Sequence, residues 1–337
     1  MQAVDIDDVL MIKNCGAGTE GDPGFQEGNT CAGDGGGRIA GGGAESSVPA
    51  QHFATMPTGK ATSKEAKKWR KSMQETYEND PEFRGLADTV ALYTQGDYKV
   101  QRAFAHRAVT GELEERWHDS ALPGWVDKGI SGSPLAEYKS YFTGQDFNVA
   151  TRDSRVTYTE AGRMLTNAID QSPPVEGALY RGVTGRHFVA AAAALKPGDD
   201  FDITGTASFT FDKDIGEEFA AGTAKGQRNK KVAPYRTLIE VESGAKAMNV
   251  SAISPWDQKE YLTQGKFEVV QVEVMEESRY TKKPEVVRMV IRQKETWKAK
   301  QPAEAKGYSP PQEESELVKE AVERDTPMPD AEPDDGT

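Results

Sequence analysis

Cysteine and histidine are scarce in this 337-residue chain, with two of the first and four of the second. Cys15 and Cys31 share one glycine-rich stretch while His52, His106, His118 and His187 are scattered, so no four-ligand zinc spacing exists and no metal is expected. One disulfide and a pair of free thiols both remain open. No run of about 18 apolar residues occurs, so no membrane-spanning helix is expected. The N-terminus, Met1 to Asp8, lacks the basic-then-apolar pattern of a secretion signal. These absences predict a soluble protein, with any export by a non-standard route.

Positive charge is also short. Lys and Arg number 41 against 54 Asp and Glu, a net charge of -13, which argues against a general nucleic-acid binder that neutralises phosphates. The segment Lys225 to Lys231 is locally basic and keeps a nucleic-acid acceptor open. Apolar residues make up 36% and mean hydropathy is -0.67, so part of the chain contributes to no core. One domain with extended flanks fits better than two domains.

The flanks show in the composition. Residues 1–61 read as a disordered glycine-rich head, since 14–43 hold too many glycines for helix or packed strand. No Lys-Ser or Lys-Thr follows those glycines, so they form no phosphate loop. Residues 300–337 are acidic, proline-bearing and expected to be disordered, with a short amphipathic helix around Glu313 to Val322.

Between them, residues 62–299 change period once. A helical part over about 62–175 begins with Ser63 capping a helix through Ala66, Trp69, Met73 and Tyr77, followed by Pro81 to Tyr93 and Tyr98 to Leu113. Residues 116–150 are loop-rich, and a helix from Thr159 stops at Pro173. A β-rich part over about 176–295 has strands at 178–183, 201–211, 237–241, 247–250, 260–262, 267–275 and 286–292, with helices at 187–195 and 212–221. Helices first and strands later predict an α+β domain with a mixed sheet.

Three short signals in the β-rich part carry chemistry. Arg181 follows Tyr180 at a strand and precedes Gly182, where a ligand can approach the backbone; a planar guanidinium suits a phosphate. Ser208 and Thr210 alternate with Phe209 and Phe211, which puts hydroxyls on one strand face and aromatics on the other. Gln258 and Glu260 stand two apart at a strand start, with side chains pointing the same way and Lys259 opposite. A carboxylate beside a ribose can stabilise the oxocarbenium-like cation formed as a glycosidic bond breaks.

The order Arg181, Ser208, Glu260 resembles the R-S-E class of ADP-ribosyltransferases over about residues 85–275, most of the ordered chain. Leu92-Tyr93-Thr94 looks like that family's Tyr-Thr helix end. Ala178 to Gly182 resembles its arginine-bearing strand, and Ser208-Phe209-Thr210 its Ser-Thr-Ser strand with Phe209 in place of the middle threonine. Gly244-Ala245 and the run Ser251 to Glu260, then Phe267 and Val269, look like its closing segment. The resemblance implies an ADP-ribosyltransferase-like fold whose sheet clasps NAD, and an enzyme that cleaves NAD and transfers ADP-ribose without metal. It implies that Arg181, Gly182, Ser208, Thr210 and Arg228, the last in a loop over about 222–234, bind NAD. Ser208 supports Glu260, and Glu260 is catalytic.

Gln258 departs from the Glu-x-Glu of arginine-modifying members. Gln-x-Glu resembles members that modify side-chain amides of proteins, such as the toxin-like clostridial Rho-modifying exoenzymes, and others that modify guanine. The implied acceptor is therefore a protein amide, with nucleic acid or nucleotide as the alternative, and Trp256 and Gln258 are placed to meet it. The elements around Cys15 and Cys31 also resemble tails on phage head-associated proteins. That implies docking to a phage head or carrier, delivery into a target cell, and as a third reading a particle component with a non-catalytic module.

Overall fold

The computed structural model of the chain describes residues 49–113, 157–224, 232–279 and 284–300, with short pieces at 4–5, 137–139, 142, 146–148 and 281. Cys15, Cys31, the glycine-rich run, Arg228 and the acidic tail lie outside the described residues. Val4–Asp5 forms a two-residue strand, β1. Helix α1, Pro49–Ala54, falls inside the stretch that composition assigns to the head; its Ala50 and Phe53 are buried. Phe53 packs at 5.7 Å from Phe83 and 6.4 Å from Trp69, so the helical core begins upstream of Thr62.

The helix expected from Ser63 through Tyr77 is two helices, α2 (Lys64–Ser72) and α3 (Gln74–Asn79). Ser63 accepts from the Ala66 N–H and caps the first, and Met73 joins them. Asp80 caps α4 (Pro81–Leu92), which has proline in its first turn, where its missing N–H costs nothing. A π-helical turn, Tyr93–Asp97, links α4 to α5 (Tyr98–Thr110). Strands β2 (Glu137–Lys139) and β3 (Asp146–Asn148) pair with each other. Helix α6 (Tyr158–Gln171) opens on a capping box in which Thr157 and Glu160 satisfy each other's backbone N–H, worth about 1 kcal/mol.

The β-rich part then alternates β4 (Leu179–Thr184), α7 (Arg186–Ala194), β5 (Asp200–Thr210), α8 (Lys213–Ala221), β6 (Arg236–Val241), β7 (Met248–Asn249), β8 (Glu260–Glu277) and β9 (Pro284–Glu295). Helices and a mixed sheet make the domain α+β, as the change of period predicts. Strands β6 and β9 run parallel, while the other pairs in the main sheet, apart from the short β1–β5 pair, are antiparallel. The ladder runs β5-β4-β6-β9-β8, and β8 also pairs with β5. It thus returns to its start, closing at β4 and β5 through one residue pair, Tyr180 with Thr210.

The two strands expected at 260–262 and 267–275 are one 18-residue strand. Between the two expected strands, Gly265 sits at φ 142° where a Cβ would come 2.2 Å from the Glu295 carbonyl. The glycine therefore lets β9 pass close instead of ending the strand. Leu179, Phe201, Phe209, Ile239, Phe267 and Ile291 belong to the core of the sheet. Val250, Ile253 and Leu262 join the helical core of Phe83, Leu86, Leu165 and Ile169, so the segment entering β8 is clamped by helices.

Candidate active site

Three strands bring Arg181, Ser208 and Glu260 together. In the sheet, Ser208 lies opposite Leu262 and Thr210 opposite Glu260, so β5 and β8 place the serine one step from the glutamate. The Arg181 guanidinium on β4 donates to the Ser208 carbonyl and lies 5.9 Å over the Phe209 ring. That contact fixes the arginine against β5 even though β4 and β5 share a single residue pair.

Glu260 is 6% exposed, and with Asp88 it is one of two buried acids among the described residues. Asp88 accepts from the Tyr77 hydroxyl at 2.8 Å inside the helical part. Glu260 accepts from Ser254 Oγ at 2.9 Å, and the Ser208 side chain, whose hydroxyl points to Tyr93, lies near it. Burial pushes its carboxyl above the usual range, while the Ser208 and Ser254 hydroxyls and the Arg181 charge pull it back. The Trp256 N–H lies 3.4 Å from Ser254 Oγ, a long contact that orients the serine toward the carboxylate.

A fourth side chain comes from the helical part. Tyr93, the first residue of the π-helical turn, is buried, with its hydroxyl 3.4 Å from Ser208 Oγ and donating to the Thr206 carbonyl at 3.2 Å. Burial raises its pKa, opposed by the charges of Arg102 and Arg181, and Glu260 adds to the rise. Arg102, 6% exposed on α5, therefore belongs to the electrostatic neighbourhood of the site. Sequence reasoning reaches Tyr93 only as a helix-end resemblance and misses Arg102. The one signal for Arg102 is a cation flanked within two residues by Val100 and by Ala103 and Phe104.

Other expected contributors also make contacts that hold the site's surroundings. The Thr210 hydroxyl donates to the Gln258 carbonyl and accepts from the Asp212 N–H at 3.0 Å, so it holds the loop before Glu260. Gly182 lacks a side chain because of α8: a Cβ there would come 1.9 Å from the Ala220 nitrogen. That close helix approach by itself requires glycine. Phe211 lies beyond the end of β5 and is 38% exposed, against the expectation that it enters the core with Phe209.

Gln258 and Lys259 precede β8, so strand alternation does not orient them. Lys259 sits at φ 45°, a left-handed backbone that costs a non-glycine residue about 1–2 kcal/mol. Three contacts offset the strain: Lys259 Nζ meets Asp212 Oδ2 at 2.7 Å, the Phe211 N–H bonds the Lys259 carbonyl at 3.1 Å, and Thr210 bonds Gln258. The same lysine holds the Asp212 carboxyl below its usual range. Trp256 is 44% exposed, yet its indole N–H donates to the Thr94 carbonyl of the π-helical turn at 2.9 Å. The loop before Glu260 thus bridges the sheet and the helical part.

Among the described residues, no group of three or more His, Cys, Asp and Glu side chains could hold a metal ion, and no helix is long and apolar enough to cross a membrane. No protein-family model and no curated protein matches the chain. The solved structures to which it is similar include ADP-ribosyltransferases. The Vis toxin of Vibrio splendidus, in complex with agmatine, aligns at TM-score 0.38 and 14% identity over 80% of this chain and 91% of that one. Exoenzyme S of Pseudomonas aeruginosa, in complex with human 14-3-3 protein beta and bound to Carba-NAD, aligns at TM-score 0.36 and 14% identity over 72% and 90%. An ADP-ribosyltransferase of Clostridium botulinum aligns at TM-score 0.34 and 14% identity over 71% and 98%.

Proposed function

We propose that the chain is a mono-ADP-ribosyltransferase that cleaves NAD and transfers ADP-ribose to a side-chain amide of a protein. The observation that carries this reading is the buried Glu260 carboxylate, bonded by Ser254 with Ser208 and Arg181 beside it. A buried carboxylate supported by two hydroxyls is costly to ionise and strong once ionised, which suits a cation that forms only in the transition state.

NAD is the substrate. Arg181 and Arg102 supply the positive charge for its pyrophosphate. Arg228 is a third donor in this reading. Ser208 and Glu260 meet the nicotinamide ribose. The bond between the anomeric carbon and the nicotinamide nitrogen breaks, and its electron pair leaves on neutral nicotinamide. The carboxylate faces the resulting positive carbon, an acceptor amide nitrogen bonds to that carbon, and the proton it loses passes to solvent.

Gln258 offers a carbonyl acceptor and an amide donor, a pair that matches a primary amide and lacks the charge that would draw a guanidinium. A guanine edge presents a comparable donor and acceptor set, so nucleic acid is the competing acceptor. Labelled NAD incubated with a cell lysate, then treated separately with protease and nuclease, decides between them. Label lost to nuclease but surviving protease would overturn the protein-acceptor reading. Nicotinamide release by the purified chain is expected, and falls on the order of a hundredfold or more in Glu260→Gln. A wild-type chain releasing none would leave only the reading as a non-catalytic phage particle component, docked through the glycine-rich head.

A further inference from the structure

The cations of the sheet are largely neutralised. Lys246, Lys259, Lys266, Arg288, Arg292 and Lys294 each meet a carboxylate at 2.5–3.5 Å. Helix α2 is the opposite case. Lys64, Lys67, Lys68 and Lys71 are all exposed, and among the described residues none of them meets a carboxylate. At 3.6 residues per turn they fall within an arc of about 100°. Ala66, Trp69 and Arg70 form the buried face, which leaves the lysines pointing to solvent.

The stripe is fixed to the loop that carries the proposed acceptor-facing residues. The buried Arg70 guanidinium donates to the Ala252 carbonyl, and Lys60, just before the helix, pairs with Asp257 at 2.6 Å. Asp257 lies between Trp256 and Gln258. On the helix circumference Arg70 is about 60° from Lys67, so the lysine face begins next to the side turned toward that loop.

We propose that the lysine face of α2 docks the acceptor, and that the acceptor is a protein with a short acidic segment beside the modified residue. This rests on the reading of the site as a transferase. Four charges along one helix face span roughly 10 Å, about one Debye length at physiological salt. An acidic segment of that length feels the lysines and little of the rest of the molecule. A nucleic acid, charged every few ångströms along its whole length, would leave most of its phosphates beyond the stripe. Single lysine charges also suit scattered carboxylates, where recognition of phosphates favours arginine forks.

The test titrates the full chain with a fluorescent poly-glutamate peptide and with an oligodeoxythymidylate of matched charge, at low and physiological salt. The variants carry Lys64→Glu, Lys67→Glu, Lys68→Glu and Lys71→Glu together, or glutamine at the same four positions. All four side chains are exposed, and thermal unfolding checks that the variants fold. Peptide binding is expected to weaken at least about tenfold in the glutamate variant and less in the glutamine variant, with nicotinamide release unchanged. Equal peptide binding by wild type and variants, no binding by wild type, or stripe-dependent preference for the oligonucleotide would each overturn the proposal. A wild-type chain that binds the peptide through the stripe but releases no nicotinamide would instead sink the transferase reading alone.

Discussion

The two sides of the site are built differently. On the sheet side, Arg181, Ser208 and Glu260 are positioned by β4, β5 and β8, whose backbones are laddered on both flanks or cross-linked by a side chain. On the helical side, Tyr93 and Arg102 come from a π-helical turn and the helix after it, held by packing and a few single bonds. The sheet side holds the groups assigned to bond cleavage and the helical side adds a phenol and a cation. Chemistry that depends on fractions of an ångström thus rests on the stiffer frame.

Glu260→Gln should make the largest difference. Its rate loss, on the order of a hundredfold, should appear in kcat and leave thermal unfolding at neutral pH unchanged or improved. The sign follows from the raised pKa: ionised Glu260 opposes folding once pH exceeds its unfolded value, so a neutral isostere gains there. The gain should vanish below about pH 4, where the wild-type carboxyl is protonated in both states. A gain that persists there would show that burial of charge is not its cause.

Arg102→Gln tests the helical side. If Arg102 holds the pyrophosphate, KM for NAD rises about tenfold with kcat nearly kept. A lowered melting temperature with KM unchanged would make it a packing residue. Ser254→Ala then probes the join between the two sides. It removes a bond that favours the ionised carboxylate, so the acid limb of the kcat profile should move to higher pH, with a loss under about tenfold at neutral pH. A limb that stays put would mean that Ser208 and Arg181 alone set the ionisation.

Asp212→Asn should have the smallest effect. The Lys259 pair is partly exposed and screened, worth less than about 1 kcal/mol. Its loss should lower transfer more than nicotinamide release, because the released loop carries Gln258. An equal loss in both would place the effect at Glu260 itself.

How much can be read from the chain alone follows the same division. The order of three short signals, weak one by one, is enough to single out Arg181, Ser208 and Glu260, which three strands then bring together. Arg102 escapes because a helix presents a known face only once its buried side is known, and α5 packs against both α6 and β5. Lys259 escapes for another reason. Nothing in its residue type announces a left-handed backbone, which is imposed by Asp212, Phe211 and Thr210 from a distant part of the chain. Gly182 and Gly265 each answer to a neighbouring backbone that the local sequence does not show.

The ring formed by the main strands has a seam, and the site lies across it. Strand β5 meets β4 at one residue pair and β8 along its length, and Arg181, Ser208 and Glu260 stand on those three strands. A molecule gripping all three would act as a buckle on the whole domain. Occupancy would then register as resistance to heat far from the ligand, and thermal opening of the seam would end activity in the same step that frees the strand edges for aggregation.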